Sequence, residues 1–249
     1  RQIRQSREAG IKDIFVVTGY KARSFQYLEE RFGVHLRNNP SYDTRNNNAS
    51  IRAVGDILSN TYVCSADNYF NQNPFESEVD SSYYAAVYSN GPTNEWCMET
   101  DQEGWITSVT VGGSNAWYML GHTFWDENFS RAFMNILNAV YSKPETADKL
   151  WESIYIEHLD QLHMKMRKYP DDFIFEFDTL DELRAFDTSY VNDARSTILK
   201  RVARQLEVEE KDLIHINCLK DTNTNEAIGF AFDVRGHHHT YLYDGGLRD

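Results

Sequence analysis

Residues 13–36 open with Asp13-Ile14-Phe15-Val16-Val17-Thr18, break at Gly19-Tyr20 and close with Val34-His35-Leu36. The first run is short, apolar and β-branched, which suits a buried strand. Between the two runs, Phe25, Leu28 and Phe32 recur at helical spacing across residues 22–32 and stop at Gly33, a helix terminator. The unit therefore reads strand, helix, strand. Working outward, a polar loop over 38–48 leads to a helix predicted over 49–58, and Tyr62-Val63-Cys64-Ser65-Ala66 reads as a third buried strand entering Asp67. Alternation of this kind predicts an α/β fold with a parallel sheet and helices on its faces.

From Ser81 the texture changes. Runs at 83–88, 95–99, 105–111 and 116–124, rich in β-branched and aromatic residues, predict antiparallel strands separated by turns. Helices are expected over 127–141, with an apolar stripe of Phe129, Phe133, Ile136, Leu137 and Val140, and over 146–166. Phe173-Ile174-Phe175-Glu176-Phe177 then reads as a strand entering Asp178, and 181–186 as a helix. Residues 1–192 are expected to form one domain. Residues 193–249 read as the opening of a second, with strands over 213–219, 227–234 and 240–243 joined across a loop containing His237-His238-His239.

Composition excludes several classes. The 249 residues carry 25 Lys+Arg against 38 Asp+Glu, a net charge of −13, with no basic block to neutralise a row of phosphates, so no nucleic-acid partner is expected. Mean hydropathy is −0.60 and no apolar run approaches the ~20 residues of a membrane helix, so no membrane span is expected. Cys64, Cys97 and Cys218 are odd in number and far apart, which predicts reduced packing thiols in a cytoplasmic protein. Arg1 begins in a helix-like stretch without a methionine and is expected not to be the natural N-terminus.

Several residues invite chemistry. Asp67 and Asp178 end predicted strands, where open α/β sheets collect ligands, and Glu176 shares a face with Asp178 at period two. Convergent acids there would hold Mg²⁺; the competing reading is turn-capping Asp. Asn46-Asn47-Asn48 and Ser50 either read a base edge or ribose, or supply turn geometry and a helix cap. Thr18-Gly19-Tyr20 is either a close-approach turn or an ordinary strand end. Trp96, Trp117, Trp151 and Tyr69, near Asp67, Glu95 and Glu152, suit a quaternary ammonium group held by cation–π attraction, against plain core packing for any single ring. Three consecutive histidines on one strand cannot face one ion, so 237–239 reads as a polar hairpin loop.

The ordered set Val16-Val17-Thr18-Gly19-Tyr20, Asn39-Pro40-Ser41-Tyr42, Asn46-Asn47 with Ser50, Ser65-Ala66-Asp67-Asn68-Tyr69, Thr93-Asn94-Glu95-Trp96, Phe124-Trp125-Asp126, Trp151-Glu152 and Phe175-Glu176-Phe177-Asp178 resembles the bacterial CTP:phosphocholine cytidylyltransferases over residues 1 to about 190. The resemblance implies a Rossmann-like nucleotidyltransferase fold with a mixed, mostly parallel sheet, and synthesis of CDP-choline and pyrophosphate from CTP and phosphocholine. It further implies Mg²⁺ on Asp67 and Asp178 with Glu176 beside them. Trp96, Trp151, Glu152 and Tyr69 would lie around the substrate amine, and Gly19, Tyr20, Asn47 and Ser50 near the cytidine. The family's first strand, Gly-rich loop with Arg, and Pro-Lys pair have no counterpart here and are expected upstream of Arg1. Residues 193–249 resemble the first strands of a choline kinase lobe, through Leu213-Ile214-His215-Ile216-Asn217, Thr222-Asn223-Thr224-Asn225 and Phe230-Ala231-Phe232-Asp233-Val234, implying a fused kinase domain. Two alternatives stand beside this reading: a cytidylyltransferase for 2-aminoethylphosphonate or another small phosphonate, which would surround the amine with acids, and a non-catalytic choline or nucleotide-binding module.

Overall fold

The structure, a computed structural model, describes every residue except Asn223, Asn225 and Asp249. Two of these belong to the polar run Thr222-Asn223-Thr224-Asn225 quoted above for the kinase resemblance, which thus lies partly outside the described residues. The chain divides into two compact units, 1–176 and 177–249.

The first unit runs α1 (Gln2–Glu8), β1 (Phe15–Thr18), α2 (Tyr27–Phe32), β2 (His35–Asn38), α3 (Asn48–Ala53), β3 (Thr61–Val63), β4 (Asn68–Phe70), β5 (Tyr83–Thr100), β6 (Ile106–Trp125), α4 (Glu127–Val140), α5 (Trp151–Ile156), β7 (Lys165–Lys168) and β8 (Ile174–Glu176). β1 and β2 pair in parallel, Val16 opposite Leu36, so the strand–helix–strand unit is present and the fold is mixed α/β. Its helix is split: Lys21 takes a left-handed φ of 51° before a 3₁₀ turn (Ala22–Phe25), and α2 follows, closed by Gly33 at φ 61°. α3 stops short of the predicted Leu58. Beyond its end, Gly55 lies so close to Met134 that a Cβ there would sit 2.4 Å from the thioether methyl.

The four predicted antiparallel strands are two. β5 and β6 form one long hairpin from Tyr83 opposite Phe124 to Thr100 opposite Ile106. The Gly-Pro and Gly-Gly-Ser-Asn stretches face each other as irregularities inside the ladder, with Pro92 opposite Ser114, and do not turn the chain. Only 101–104 does, its turn held by Asp101 Oδ1 accepting from the Glu103 and Trp105 amides. β3 pairs antiparallel with the end of β6, Tyr62 opposite Phe124, and β7 lies parallel to β5. β7 begins inside the predicted 146–166 helix, at Lys165 and Met166, because that helix shrinks to α5: a 3₁₀ turn (Pro144–Thr146) precedes it and Leu150 is extended.

α4 presents the predicted stripe, burying Phe129, Phe133 and Leu137 against the sheet beside Trp125, Trp151 and Tyr155. Each such side chain contributes roughly 1.5–3 kcal/mol on leaving water. Asp126 caps this helix, accepting from the Phe129 amide at 2.8 Å while its other oxygen accepts from the Ser82 hydroxyl at 2.8 Å. On the opposite side His122 is fully buried among Tyr62, Phe70, Phe75, Tyr83 and Tyr169, with Nε2 2.9 Å from the Tyr83 hydroxyl.

The second unit contains α6 (Leu180–Phe186), α7 (Thr197–Gln205), β9 (Ile214–Lys220), β10 (Ala227–Val234), β11 (His237–Leu242) and β12 (Gly246–Arg248). Its antiparallel sheet has the order β12-β11-β10-β9 and a core of its own, Leu199, Val202, Leu213, Phe230, Phe232 and Tyr241. Residues 177–192 cluster here: buried Arg184 of α6 donates to the Leu213 and Glu210 carbonyls, each at 2.7 Å. The three histidines belong to β11, not to a loop; the turn is Arg235-Gly236, at φ 50° and 81°. His238 and His215 flank Asp233, each with Nδ1 2.9 Å from one of its oxygens. All three cysteines are free, and Cys218, expected to pack, is exposed. Burial pushes the Cys64 thiol up to about 12, and burial with the Glu95 charge raises Cys97. Among the described residues no helix is long and apolar enough to cross a membrane.

Burial, reinforced by the Arg167 charge, holds His122 down at about 3, against 6.5 unperturbed. The unfolded chain therefore takes up a proton near pH 6.5 that the folded chain refuses until about pH 3. Stability is expected to fall on acidification from pH 6.5, at about 1.4 kcal/mol per pH unit from this group. His122→Phe should flatten that limb, as read from urea unfolding at pH 7 and pH 4.

Candidate active site

Asn46, Asn47 and Asn48 stitch the loop before α3 to the segment leading into α5. The Asn46 amide donates to the Ala147 carbonyl at 2.8 Å and its side chain to the Asp148 carbonyl at 3.1 Å. Asn48, fully buried, donates to the Thr146 carbonyl at 3.0 Å and also to that of Lys149. Between them, Asn47 Oδ1 accepts from the Trp151 amide at 2.7 Å, and its Nδ2 donates to Glu152 Oε2 at 3.1 Å. Asn47 is the N-cap of α3, yet its side chain is spent on the neighbouring element. Ser50 does not cap either; its Oγ accepts from Asn39 Nδ2 at 3.2 Å, and the Asn39 amide donates to the Thr18 carbonyl at 2.7 Å. The end of β1, the polar loop and the start of α3 are thereby held together.

Glu152 is the electrostatic centre of this arrangement. It opens α5 half-buried, and loss of hydration pushes its carboxyl up to about 7 although its own backbone N–H and donors from Asn47 and Tyr84 favour the anion. The Tyr84 hydroxyl donates to Glu152 Oε1 at 3.5 Å, and its ring stacks on Trp151 with centroids 5.9 Å apart and planes 18° from parallel. Burial, then the charges of Glu152 and Glu176, drive the Tyr84 phenol well above its ordinary value, so Tyr84 stays a neutral donor. A carboxylate poised near neutrality beside aromatic rings attracts a cation, because a positive charge arriving there restores the ionised form. Trp151 itself is 5% exposed and packed by Tyr84, Trp125 and Phe133, so it serves chiefly as core. Trp96 is half-buried on β5 against the same core.

Asp67 occupies the turn before β4, exposed, its carboxylate without a hydrogen-bond or ion-pair partner among the described residues. Its neighbour Asn68 is buried with Oδ1 unpartnered, and the β4–β8 register sets Asn68 opposite Glu176. Asp178 belongs to the second unit, exposed, its amide donating to Glu182 Oε2 at 2.8 Å in the turn that enters α6. Among the described residues no group of three or more His, Cys, Asp or Glu side chains gathers as a metal cage. Tyr69 already has a cation over its face, the Arg1 guanidinium at 4.6 Å. Gly19 is required by packing, since a Cβ there would meet that of Tyr42 at 2.4 Å; Tyr20 is 42% exposed.

Sequence reasoning placed Asn47 near a nucleotide and Glu152 near an amine, and the structure joins the two. It missed Tyr84, which sits in an unbroken apolar run with no local signal, and the stitching role of Asn46 and Asn48. Three consecutive Asn ahead of a short helix were the available clue.

No family model matches the chain. A choline-phosphate cytidylyltransferase of Streptococcus pneumoniae is 29% identical over 192 residues, 77% of this chain and 84% of that protein. A 2-aminoethylphosphonate cytidylyltransferase of Lancefieldella rimae is 30% identical over 192 residues, 76% of this chain and 78% of that protein. Among solved structures, the CTP:phosphocholine cytidylyltransferase of S. pneumoniae aligns with a TM-score of 0.72 at 29% identity, covering 76% of this chain and 82% of that one. The inositol-1-phosphate CTP transferase of T. maritima shares the fold at 11% identity, with a TM-score of 0.55. With these relatives and a mixed α/β fold shared with the solved cytidylyltransferase, the chain belongs to the nucleotidyltransferase family, among the enzymes that transfer a cytidylyl group.

Proposed function

We propose that this enzyme transfers the cytidylyl group of CTP to phosphocholine, giving CDP-choline and pyrophosphate. The observation that carries the choice of acceptor is Glu152, a half-buried carboxylate held by Asn47 and Tyr84 beside the Tyr84–Trp151 stack. A primary ammonium needs several acceptors, whereas a trimethylammonium needs only a charge and apolar walls. Few acceptors and the Tyr84 ring beside the carboxylate support the second, with half-buried Trp96 as a further wall.

In the reaction an oxygen of the phosphocholine phosphate attacks the α-phosphorus of CTP, a new P–O bond forms, and the bond to the β-phosphate breaks. The attacking oxygen is already ionised near neutral pH, so no general base is required. The protein's contribution is orientation: anchoring the ammonium at Glu152 fixes the far end of the acceptor and aligns its phosphate for in-line attack. For cytidine we assign Gly19, Tyr20 and Ser50, supported by the Thr18–Asn39–Ser50 chain of hydrogen bonds that joins the end of β1 to α3. The Asn47 side chain, expected on the nucleotide as well, is engaged with α5.

We also propose Mg²⁺ as cofactor. The donor set fits: Mg²⁺ takes one or two carboxylates and completes its shell with water and phosphate oxygens, so it needs no three-residue cage. Asp67, without a partner among the described residues, and Glu176 across the β4–β8 register would hold it, the buried Asn68 Oδ1 offering a further oxygen. When bound, the ion offsets negative charge on the phosphates. The second unit's four-stranded antiparallel sheet supports its reading as the opening of a kinase-type lobe, and the three free cysteines support a cytoplasmic setting.

The protein is expected to release pyrophosphate from CTP only with phosphocholine and Mg²⁺ both present. Faster turnover of 2-aminoethylphosphonate would transfer the assignment to that acceptor, and binding without turnover would identify a sensor. Glu152→Gln should raise KM for phosphocholine about 10–100-fold with KM for CTP within about twofold, the loss of one charged contact. In the wild type KM for phosphocholine should climb below pH 7 as Glu152 takes up its proton, a limb that Glu152→Gln flattens. Asp67→Ala should lower kcat by about a hundredfold or more, measured at saturating Mg²⁺.

A further inference from the structure

Asn47 is engaged through both atoms of its carboxamide. The oxygen accepts from the Trp151 amide, the first residue of α5, at 2.7 Å, and the nitrogen donates to Glu152 Oε2 at 3.1 Å. One short side chain from α3 thus anchors the backbone of the element that bears Glu152 and also directs the carboxylate itself. Carboxamide donors come in one orientation only when the oxygen is committed elsewhere, and here the backbone N–H commits it. The second donor, the Tyr84 hydroxyl, is more distant at 3.5 Å.

We propose that Asn47 is a positioning residue for the amine end of the acceptor: its Nδ2 holds the Glu152 carboxylate in the orientation and charge state that a cation requires. The proposal rests on the reading of Glu152 as the ammonium partner and adds the residue that controls it. Tyr84 of β5 donates to Glu152, and Glu176 of β8 and Tyr155 of α5 are near enough to act on Tyr84. Neither tyrosine ionises in the working range, since burial raises both. Of the two side-chain donors on the Glu152 carboxylate, Asn47 is the closer, at 3.1 Å against 3.5 Å for Tyr84, beside the carboxyl's own backbone N–H.

Asn47→Asp separates the two functions of the side chain. A carboxylate at this position still accepts from the Trp151 amide, but it loses the donor and faces Glu152 with a like charge. In substrate-free protein, the ¹³C carboxyl signal of Glu152 should titrate at least about one pH unit higher than in wild type, a tenfold gain in proton affinity. KM for phosphocholine at pH 7 should rise about tenfold or more while KM for CTP stays within about twofold. In the double variant Asn47→Asp/Glu152→Gln, the hydrogen bond re-forms with its polarity reversed and one negative charge restored to the pair, so KM for phosphocholine should return to within about fivefold of wild type.

An unmoved Glu152 titration in a folded Asn47→Asp protein overturns the proposal, as does an equal loss for both substrates. If Asn47→Asp alone does not fold, the double variant decides: recovery of its melting temperature and KM supports the pairing, and failure of both rejects it. The titration is read without substrate. A shifted titration in an enzyme that ignores phosphocholine would leave Asn47 in control of Glu152 and remove only the acceptor assignment.

Discussion

The bond between one loop and one short helix governs the chemistry of the first unit. α5 has six residues, too few to be stable alone, and it starts from an extended Leu150. What fixes its first turn is the run of three carboxamides that meets the carbonyls of Thr146, Asp148 and Lys149, the Trp151 amide and the Glu152 carboxylate. A typical hydrogen bond adds about 0.5–1.5 kcal/mol net, whereas a buried group left unpaired costs about 1–3 kcal/mol. The row is consequently more costly to break in one place than its individual strengths suggest. It also sets the geometry, since the element bearing the acid can occupy only the position that all three side chains reach together.

The same region shows how apolar and charged demands are divided. Trp151 and Glu152 are consecutive, and helical geometry sends their side chains in different directions. The indole goes into the core against Trp125 and Phe133, while the acid remains at the border with Tyr84. A carboxylate on a loop would be well hydrated and ordinary in its acidity. Placed at the start of a helix whose preceding residue is locked in hydrophobic packing, it is forced into a poorly hydrated position, and this forcing raises its proton affinity. The aromatic residues thus act on the charge indirectly, by excluding water around it.

Much of this was legible from residue order, and the failures have physical causes. β1, β2 and α4 were readable because their apolar periods are unambiguous and Gly33 and Asp126 mark clear ends. The β5–β6 hairpin was not: Gly and Pro punctuate turns and ladder irregularities with the same residues, and only the cross-strand partner, Ser114 opposite Pro92, distinguishes the two. The predicted helix over 146–166 failed because strand β7 is selected by its parallel neighbour β5, a contact remote in sequence. The histidines of 237–239 look polar enough for a loop, yet Asp233 on the adjacent strand pairs with His238 and keeps that stretch in the sheet. At the site, the residue types were visible in the sequence, and the partnership of Asn47 with Glu152, 105 positions apart, was not.

The thiols differ in a way that has a practical use. Cys97 is buried and Cys64 half-buried, and both hold their protons tightly, so their sulfur is a poor nucleophile, while Cys218 stands in the open on the edge strand β9. A maleimide dye added to the native protein would therefore mark the second unit and spare the first, furnishing a fluorescent reporter on β9 without any engineered residue.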